Sequence, residues 1–185
     1  MKVFNKCPEF NKHPVGTFIA EGADGEAFLS EDKVIKFTII RDGKDNANNV
    51  WFKNKTILEA IFDTNPRHFC KVFDFGVVKV INDPYSIIYF SLLEKLNQMS
   101  SDESRAIESL ISHRDYNKYP DINKSIGKVS ELHQYLDFDK NKMIKFLECI
   151  KSSKIKHLDM HPRNVMKDSF GNFKLIDFDR MEKIK

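Results

Sequence analysis

The stretch HLDMHPRNVM, residues 157–166, places two histidines, an aspartate and an asparagine within the eight residues from His157 to Asn164. A second acidic cluster, LIDFDR, follows at 175–180. Two readings compete for these residues. In the first, His157, Asp159 and His161 are metal ligands of the kinds zinc and iron accept. Alternate residues of a strand point the same way, so such a site is geometrically open. It needs further ligands elsewhere, however, and gives Asn164 and Asp177 nothing to do. In the second, Asp159 belongs with Asn164 (164 − 159 = 5) and with Asp177 (177 − 159 = 18). Asp159 then orients and deprotonates an attacking hydroxyl, while the Asn164 oxygen and the Asp177 carboxylate bind Mg2+ bridging the phosphates of ATP. Phosphoryl transfer needs an in-line nucleophile and cancelled charge on the phosphates, which two carboxylates and an amide around Mg2+ provide. This reading uses more of the residues and is carried forward.

The composition permits an enzyme of this kind. The 185 residues are 41% hydrophobic and 31% charged, enough for one domain built as two small lobes. Net charge is +3, too mild to argue for a nucleic-acid partner. The densest basic run, from Lys140 to His157, reads as the solvated face of a helix. Three widely spaced cysteines, Cys7, Cys70 and Cys149, suit a reduced, cytoplasmic chain. The N-terminal residues lack the apolar core of a signal peptide, and no apolar run approaches the ~18–20 residues that span a bilayer.

Residues 15–40 predict three short strands in a meander, broken by Gly22, Gly25 and the Ser30-Glu31-Asp32 turn. Residues 48–62 predict a helix with Val50, Ile57, Leu58, Ile61 and Phe62 on one face, capped by Asn48 or Asn49 and ended by Asn65-Pro66. Strands are expected at 69–78 and 85–93, joined by a turn at Asn82-Asp83-Pro84. The second half predicts helices. One begins after Ser100, which has capping-box spacing to Glu103. A second covers 121–136, with Asp121 as its cap and Ile122, Ile126, Val129 and Leu136 at helical intervals. A third carries Met143, Leu147 and Ile150 on one stripe. FKLID, 173–177, reads as a strand after a turn at 169–172.

HLDMHPRNVM with KLIDFDR resembles the catalytic and metal-binding motifs of the protein-kinase-like superfamily. The His161-Pro162 form is similar to that of aminoglycoside-type phosphotransferases, and LIDFDR to that of lipopolysaccharide-core sugar kinases. The resemblance implies further parts, and each has a counterpart here. KVIKF resembles VAIK and supplies Lys36 to reach the α- and β-phosphates. Glu59, 23 residues on (59 − 36 = 23) and the sole glutamate between Lys36 and Glu94, supplies the helical partner of that lysine. AEGADGEAF, 20–28, matches a glycine-rich phosphate loop with Ala20 in the first glycine's place and Gly22 and Gly25 in the others. LLEKL, 92–96, resembles the hinge, with Leu93 as gatekeeper and the backbone of Glu94 and Leu96 meeting adenine. Singly these signals are weak, since a lysine on a strand or a glutamate on a helix is most often a surface residue. Together they run in the family's order over roughly residues 16–180. The implied fold is α+β and bilobal: a β-rich N-lobe with one helix (10–93), a hinge (94–96) and a reduced helical C-lobe (97–185).

The sequence departs from the pattern in three places. Leu158 replaces the arginine through which many protein kinases sense a phosphorylated activation loop. Asp179 replaces the glycine of DFG. Only six residues follow Asp179 (185 − 179 = 6), so the expectation is either a minimal kinase or a reduced C-lobe that a second copy or a partner chain completes. The leading function is an ATP- and Mg2+-dependent kinase with Asp159, Lys36 and Asn164 as catalytic residues. The acceptor leans to a serine or threonine of a protein. A small-molecule phosphotransferase, towards which His161 and IDFD point, and a nucleotide-binding pseudokinase are the alternatives. No membrane or nucleic-acid partner is expected, and the Lys-, Asn-, Ile- and Phe-rich composition hints at an AT-rich bacterial or viral genome, with the host cytoplasm as location in the latter case.

Overall fold

Alternating apolar and polar residues with β-branched and aromatic side chains build the first half of the chain. The computed structural model describes residues 10–41, 47–78, 86–112, 126–127, 131, 134–153 and 155–183. Strands β1 (Phe18–Glu21), β2 (Gly25–Ser30), β3 (Lys33–Arg41), β4 (Val72–Val78) and β5 (Ser86–Glu94) form one antiparallel sheet in the order β1-β2-β3-β5-β4. The expected meander is present. Glu31, at φ 55°, makes the tight β2–β3 turn. The expected turn at 82–84 lies outside the described residues.

The register sorts side chains onto two faces, because a strand's side chains alternate. Phe28, Ile35, Phe37, Ile39, Ile88 and Phe90 face one way into a buried cluster, against which Phe10 and Val15 pack. Each such side chain contributes about 1.5–3 kcal/mol by leaving water. Lys36, Thr38 and Ile40 face the other way. Thr38 lies opposite Tyr89, and Tyr89 meets helix α1 (Ala47–Thr64) through the ring of Trp51 and a 3.5 Å hydrogen bond from Asn54. The helix therefore covers the face that carries Lys36.

Helix α1 departs from expectation in two details. Asn48 and Asn49 lie inside it rather than capping it, since it already includes Ala47. Phe62 is 48% exposed, because Asn54, Ile57, Leu58 and Ile61 make the buried stripe and Phe62 points past it onto Phe75. Asn65, with φ 42° and its N–H donating to Ile61 O, ends the helix before Pro66.

The chain divides into two compact units. One holds the described residues up to Pro66 and Lys71–Lys95; the other holds Arg67–Cys70 and those from Leu96 on. The expected lobes put 67–70 with the first unit. They belong to the second, where Phe69 bridges Leu175 and the His68 imidazole donates to Phe173 O at 2.9 Å.

In the second unit, α2 (Ser101–Ser112) starts with the expected capping box: Ser100 N donates to the Glu103 carboxylate and Glu103 N to the Ser100 hydroxyl. Helix α3 (Lys140–Ser152) buries Met143, Phe146, Leu147 and Ile150 and turns Lys140, Lys145 and Lys151 to solvent, as its pattern implied. The expected helix at 121–136 falls mostly outside the described residues, though Ile126 and Gly127 are helical and Ile126 and Leu136 buried. Short strands β6 (Ile155–His157), β7 (Val165–Lys167), β8 (Phe173–Leu175) and β9 (Met181–Lys183) pair as β6-β9 and β7-β8. Among the described residues no helix is long and apolar enough to cross a membrane.

Candidate active site

The loop from His157 to Asn164 is organised by its own polar side chains. His157 ends β6 and is buried. Its Nδ1 accepts from the Asp159 N–H at 3.1 Å, so the proton of the neutral ring sits at Nε2, which donates to Ile176 O at 3.1 Å. Burial holds the pKa of His157 below its ordinary value, against the opposing bond to Ile176 O and the charges of Asp177 and Asp159. With both nitrogens engaged, His157 is a strut and not a metal ligand. The ring's two hydrogen bonds count against the His-Asp-His reading.

Four hydrogen bonds close into a ring around the site. Asp159 N donates to His157 and His157 to Ile176 O. Ile176 N donates to Asn164 O at 2.9 Å. Asn164 Nδ2 donates to Asp159 O at 2.9 Å. The ring ties Asp159, Asn164 and the residue before Asp177 together in this unit. It also orients the Asn164 amide. A carbonyl can only accept, so Nδ2 faces Asp159 O and Oδ1 is turned elsewhere. Asn164 is 6% exposed.

Asp177 has φ 66° and ψ 66°, a left-handed conformation that costs a non-glycine residue about 1 kcal/mol. It precedes the 3-10 turn Phe178–Arg180 without capping it by its side chain. Phe178 is buried and Asp179 half-buried. Asn164 Oδ1 and the Asp177 carboxylate are hard oxygen donors, the kind Mg2+ takes in ones and twos beside substrate phosphates. The donor set thus fits that ion.

His161 repeats the device of His157. Its Nδ1 accepts from Arg163 N at 3.2 Å, capping the 3-10 turn Pro162–Asn164, and its Nε2 lies 3.7 Å from Asp159 Oδ2. The Asp159 side chain is 57% exposed.

In the first unit, Lys36 is half-buried on β3, opposite Ala27 and Ser91. Gly25 lies beside it. A Cβ there would sit 2.6 Å from Phe37 O and 3.4 Å from Lys36 Cε, so this glycine makes way for β3 and the lysine stem. A Cβ at Gly22 would meet Gly25 O at an ordinary 3.8 Å, and the Gly22 N–H already donates to that oxygen at 2.8 Å. Of the two glycines only Gly25 is sterically demanded. Glu59 is half-exposed and pairs with Lys55, one turn back on α1, at 3.3 Å. That contact, absent from the sequence reading, has an i,i+4 signal in Lys55-x-x-x-Glu59. Leu93 is buried opposite Val34 and Val72. The Glu94 N–H donates to Lys71 O at 2.9 Å, so any part of Glu94 in meeting adenine falls to its carbonyl. Leu96 is the first residue of the second unit's long segment.

Two further supports were not foreseen from the sequence. Lys167 on β7 pairs with Glu103 at 2.8 Å, fastening the α2 capping box to the hairpin that follows Asn164. Asp168 folds the β7–β8 turn by accepting from the N–H groups of Phe170 and Asn172. Burial opposes ionisation of Asp168, but bonds from Asn172 and Phe170 outweigh it and hold its pKa below the ordinary 3.8. An Asp-x-x-Gly turn signal ending at Gly171, φ 74°, was legible there.

No protein-family profile matches this sequence, and no curated protein does. Solved structures do. The chain is similar to WbdD in complex with the kinase inhibitor LY294002, with 17% identity and a TM-score of 0.50 over 95% of this chain and 34% of that one. It is also similar to a 2.2 Å crystal structure of WbdD, with 19% identity and a TM-score of 0.51 over 96% of this chain and 35% of that one. The chain spans about a third of the length of the solved structures it matches. The likeness shows the fold: an α+β, protein-kinase-like fold, as the motifs implied.

Proposed function

We propose that the chain is an ATP- and Mg2+-dependent phosphotransferase acting on a hydroxyl. The observation that carries this is the closed ring of hydrogen bonds that joins Asp159, Asn164 and the backbone leading into Asp177. It supports one base and two hard-oxygen ligands held in fixed relation, which phosphoryl transfer requires and a turn does not.

In this reading the Asp159 carboxylate accepts the proton of the attacking hydroxyl as its oxygen bonds to the γ-phosphorus and the bond to the β–γ bridging oxygen breaks. Asn164 Oδ1 and Asp177 would hold the metal. Magnesium, when bound, offsets charge on the phosphates. Lys36 serves the α- and β-phosphates, Gly25 clears its stem, and Glu59 exchanges Lys55 for Lys36 when nucleotide binds. The backbone of Glu94 and Leu96 serves adenine. A serine or threonine of a protein is the first acceptor to test. The LIDFDR form and His161 support a small alcohol as the second.

The deciding experiment incubates purified protein with γ-labelled ATP and Mg2+, alone and with cell lysate, beside Asp159→Asn. Label on protein that is lost in the variant is expected. Label released only to small acceptors redirects the search to them. ATP binding in thermal shift without any transfer would overturn the proposal and leave a pseudokinase.

A further inference from the structure

The first histidine of the loop is a buried strut. The second is placed differently. His161 is half-exposed, and its ring stands between two groups the proposed reaction uses. Nδ1 accepts the Arg163 N–H at 3.2 Å and thereby closes the turn that delivers Asn164. Because Nδ1 accepts, the ring proton lies at Nε2, and Nε2 faces Asp159 Oδ2 at 3.7 Å. This is longer than a hydrogen bond. Catalytic hydrogen bonds in ligand-free sites are commonly long and tighten in the complex.

We propose that His161 is a positioning residue: one ring nitrogen shapes the Asn164 turn while the other holds Asp159 Oδ2, leaving Oδ1 for the acceptor hydroxyl. Two observations bear on this apart from the distance. The Asp159 carboxylate is 57% exposed and, among the described residues, the His161 ring at 3.7 Å is the polar group that faces it, so without His161 it would rotate between rotamers. The backbone around it, by contrast, is fully tied: Asp159 N to His157 and Asp159 O to Asn164. The loop immobilises the main chain of the base and leaves its side chain to one neighbour, His161. The idea rests on the kinase reading for its consequence, though not for its geometry.

The geometry offers a pair of substitutions that separate the two nitrogens. An asparagine amide reaches about where Nδ1 lies and its oxygen can accept the Arg163 N–H. A glutamine amide reaches about where Nε2 lies and can donate to Asp159. His161→Asn therefore keeps the turn and loses the hold on the carboxylate, and His161→Gln does the reverse. Steady-state kinetics should give His161→Asn a kcat about tenfold or more below wild type with KM for ATP unchanged, since misplacing a reacting group by an ångström costs up to about a hundredfold. His161→Gln should recover most of kcat. Equal kcat in both variants, whether both normal or both depressed, would overturn the proposal.

A second measurement does not depend on turnover. Long-range 1H–15N correlation spectra should show His161 protonated at Nε2 and bare at Nδ1. Asp159→Asn should move the Nε2 resonance and leave Nδ1 in place. The opposite tautomer, or an Nε2 resonance indifferent to Asp159, would sink the idea even in a preparation that transfers no phosphate. Wild-type inactivity with the expected spectra would instead sink the kinase reading and leave the His161–Asp159 contact standing.

Discussion

At the scale of single residues, the site turns on which atoms are already engaged. The main chain of Asp159 is tied by His157 and by the Asn164 amide, and that of Asn164 by His161 O and the Ile176 N–H, so their side chains are delivered by a backbone with little freedom. Asp159→Asn should lose transfer and keep ATP binding, whereas Asp177→Asn should also weaken binding of ATP in the presence of Mg2+. Titration by isothermal calorimetry with and without Mg2+ separates the two, and identical behaviour would break the assignment of roles. Asp177 allows a sharper test, because its left-handed backbone is strained. Asp177→Gly relieves about 1 kcal/mol of that strain, so its melting temperature should equal or exceed that of wild type while Mg2+-dependent nucleotide binding is lost. A large fall in melting temperature would mean that the residue is there for stability. Lys36 and Glu59 were matched from order along the chain alone; the structure adds that α1 covers the Lys36 face and that Glu59 pairs with Lys55. Thr38, two residues from Lys36, keeps a buried hydroxyl without a hydrogen-bond partner among the described residues.

At the scale of elements, the two glycines of the β1–β2 hairpin, matched as one motif, differ in what they do. Gly25 passes against the β3 backbone, and Gly22 sits in a turn with room to spare. Gly25→Ala should destabilise the protein by about 1–3 kcal/mol through overpacking against Phe37 O. Gly22→Ala should shift the urea midpoint little. Equal effects would refute the steric distinction. The α2 capping box is the other element-level case. Ser100→Ala removes the acceptor for Glu103 N and should cost about 1 kcal/mol. It should leave the Lys167–Glu103 pair in place, so the loss appears in chemical denaturation rather than in nucleotide binding.

At the scale of the whole molecule, the chain threads between its two units more than once, entering the second at Arg67, leaving it after Cys70 and returning at Leu96. His68 is the polar fastening of that brief visit. Burial lowers its pKa from the ordinary 6.5, against the raising effect of its bond to Phe173 O. The unfolded chain therefore takes up a proton below about pH 6.5 that the folded one refuses. Stability should be level above that pH and fall as pH drops below it, until the lowered folded value is passed. Buried His157 adds in the same sense. The urea midpoint measured from about pH 8 to about pH 5 should show the fall, and His68→Asn, which keeps a donor near Nδ1, should lessen it to the part that His157 contributes. A midpoint indifferent to pH in wild type would contradict the burial argument.

What the sequence determined by itself follows from distance along the chain. The Asp159–Asn164 spacing, the Ser100–Glu103 box, the stripe of α3 and the turn at Asn65-Pro66 join groups a few residues apart. Local backbone geometry alone brings such groups together, so their nearness could be read directly. The order of the family's motifs carried the fold. The tertiary structure decided the rest, where partners are far apart in sequence and the path of the chain sets the meeting: His68 with Phe173, Lys167 with Glu103, and Gly25 against the carbonyl of Phe37. His157 shows both at once. Its bond to Asp159, two residues on, is local. Its bond to Ile176, which closes the ring around the site, exists only because the β7–β8 hairpin folds back and returns the chain to the loop.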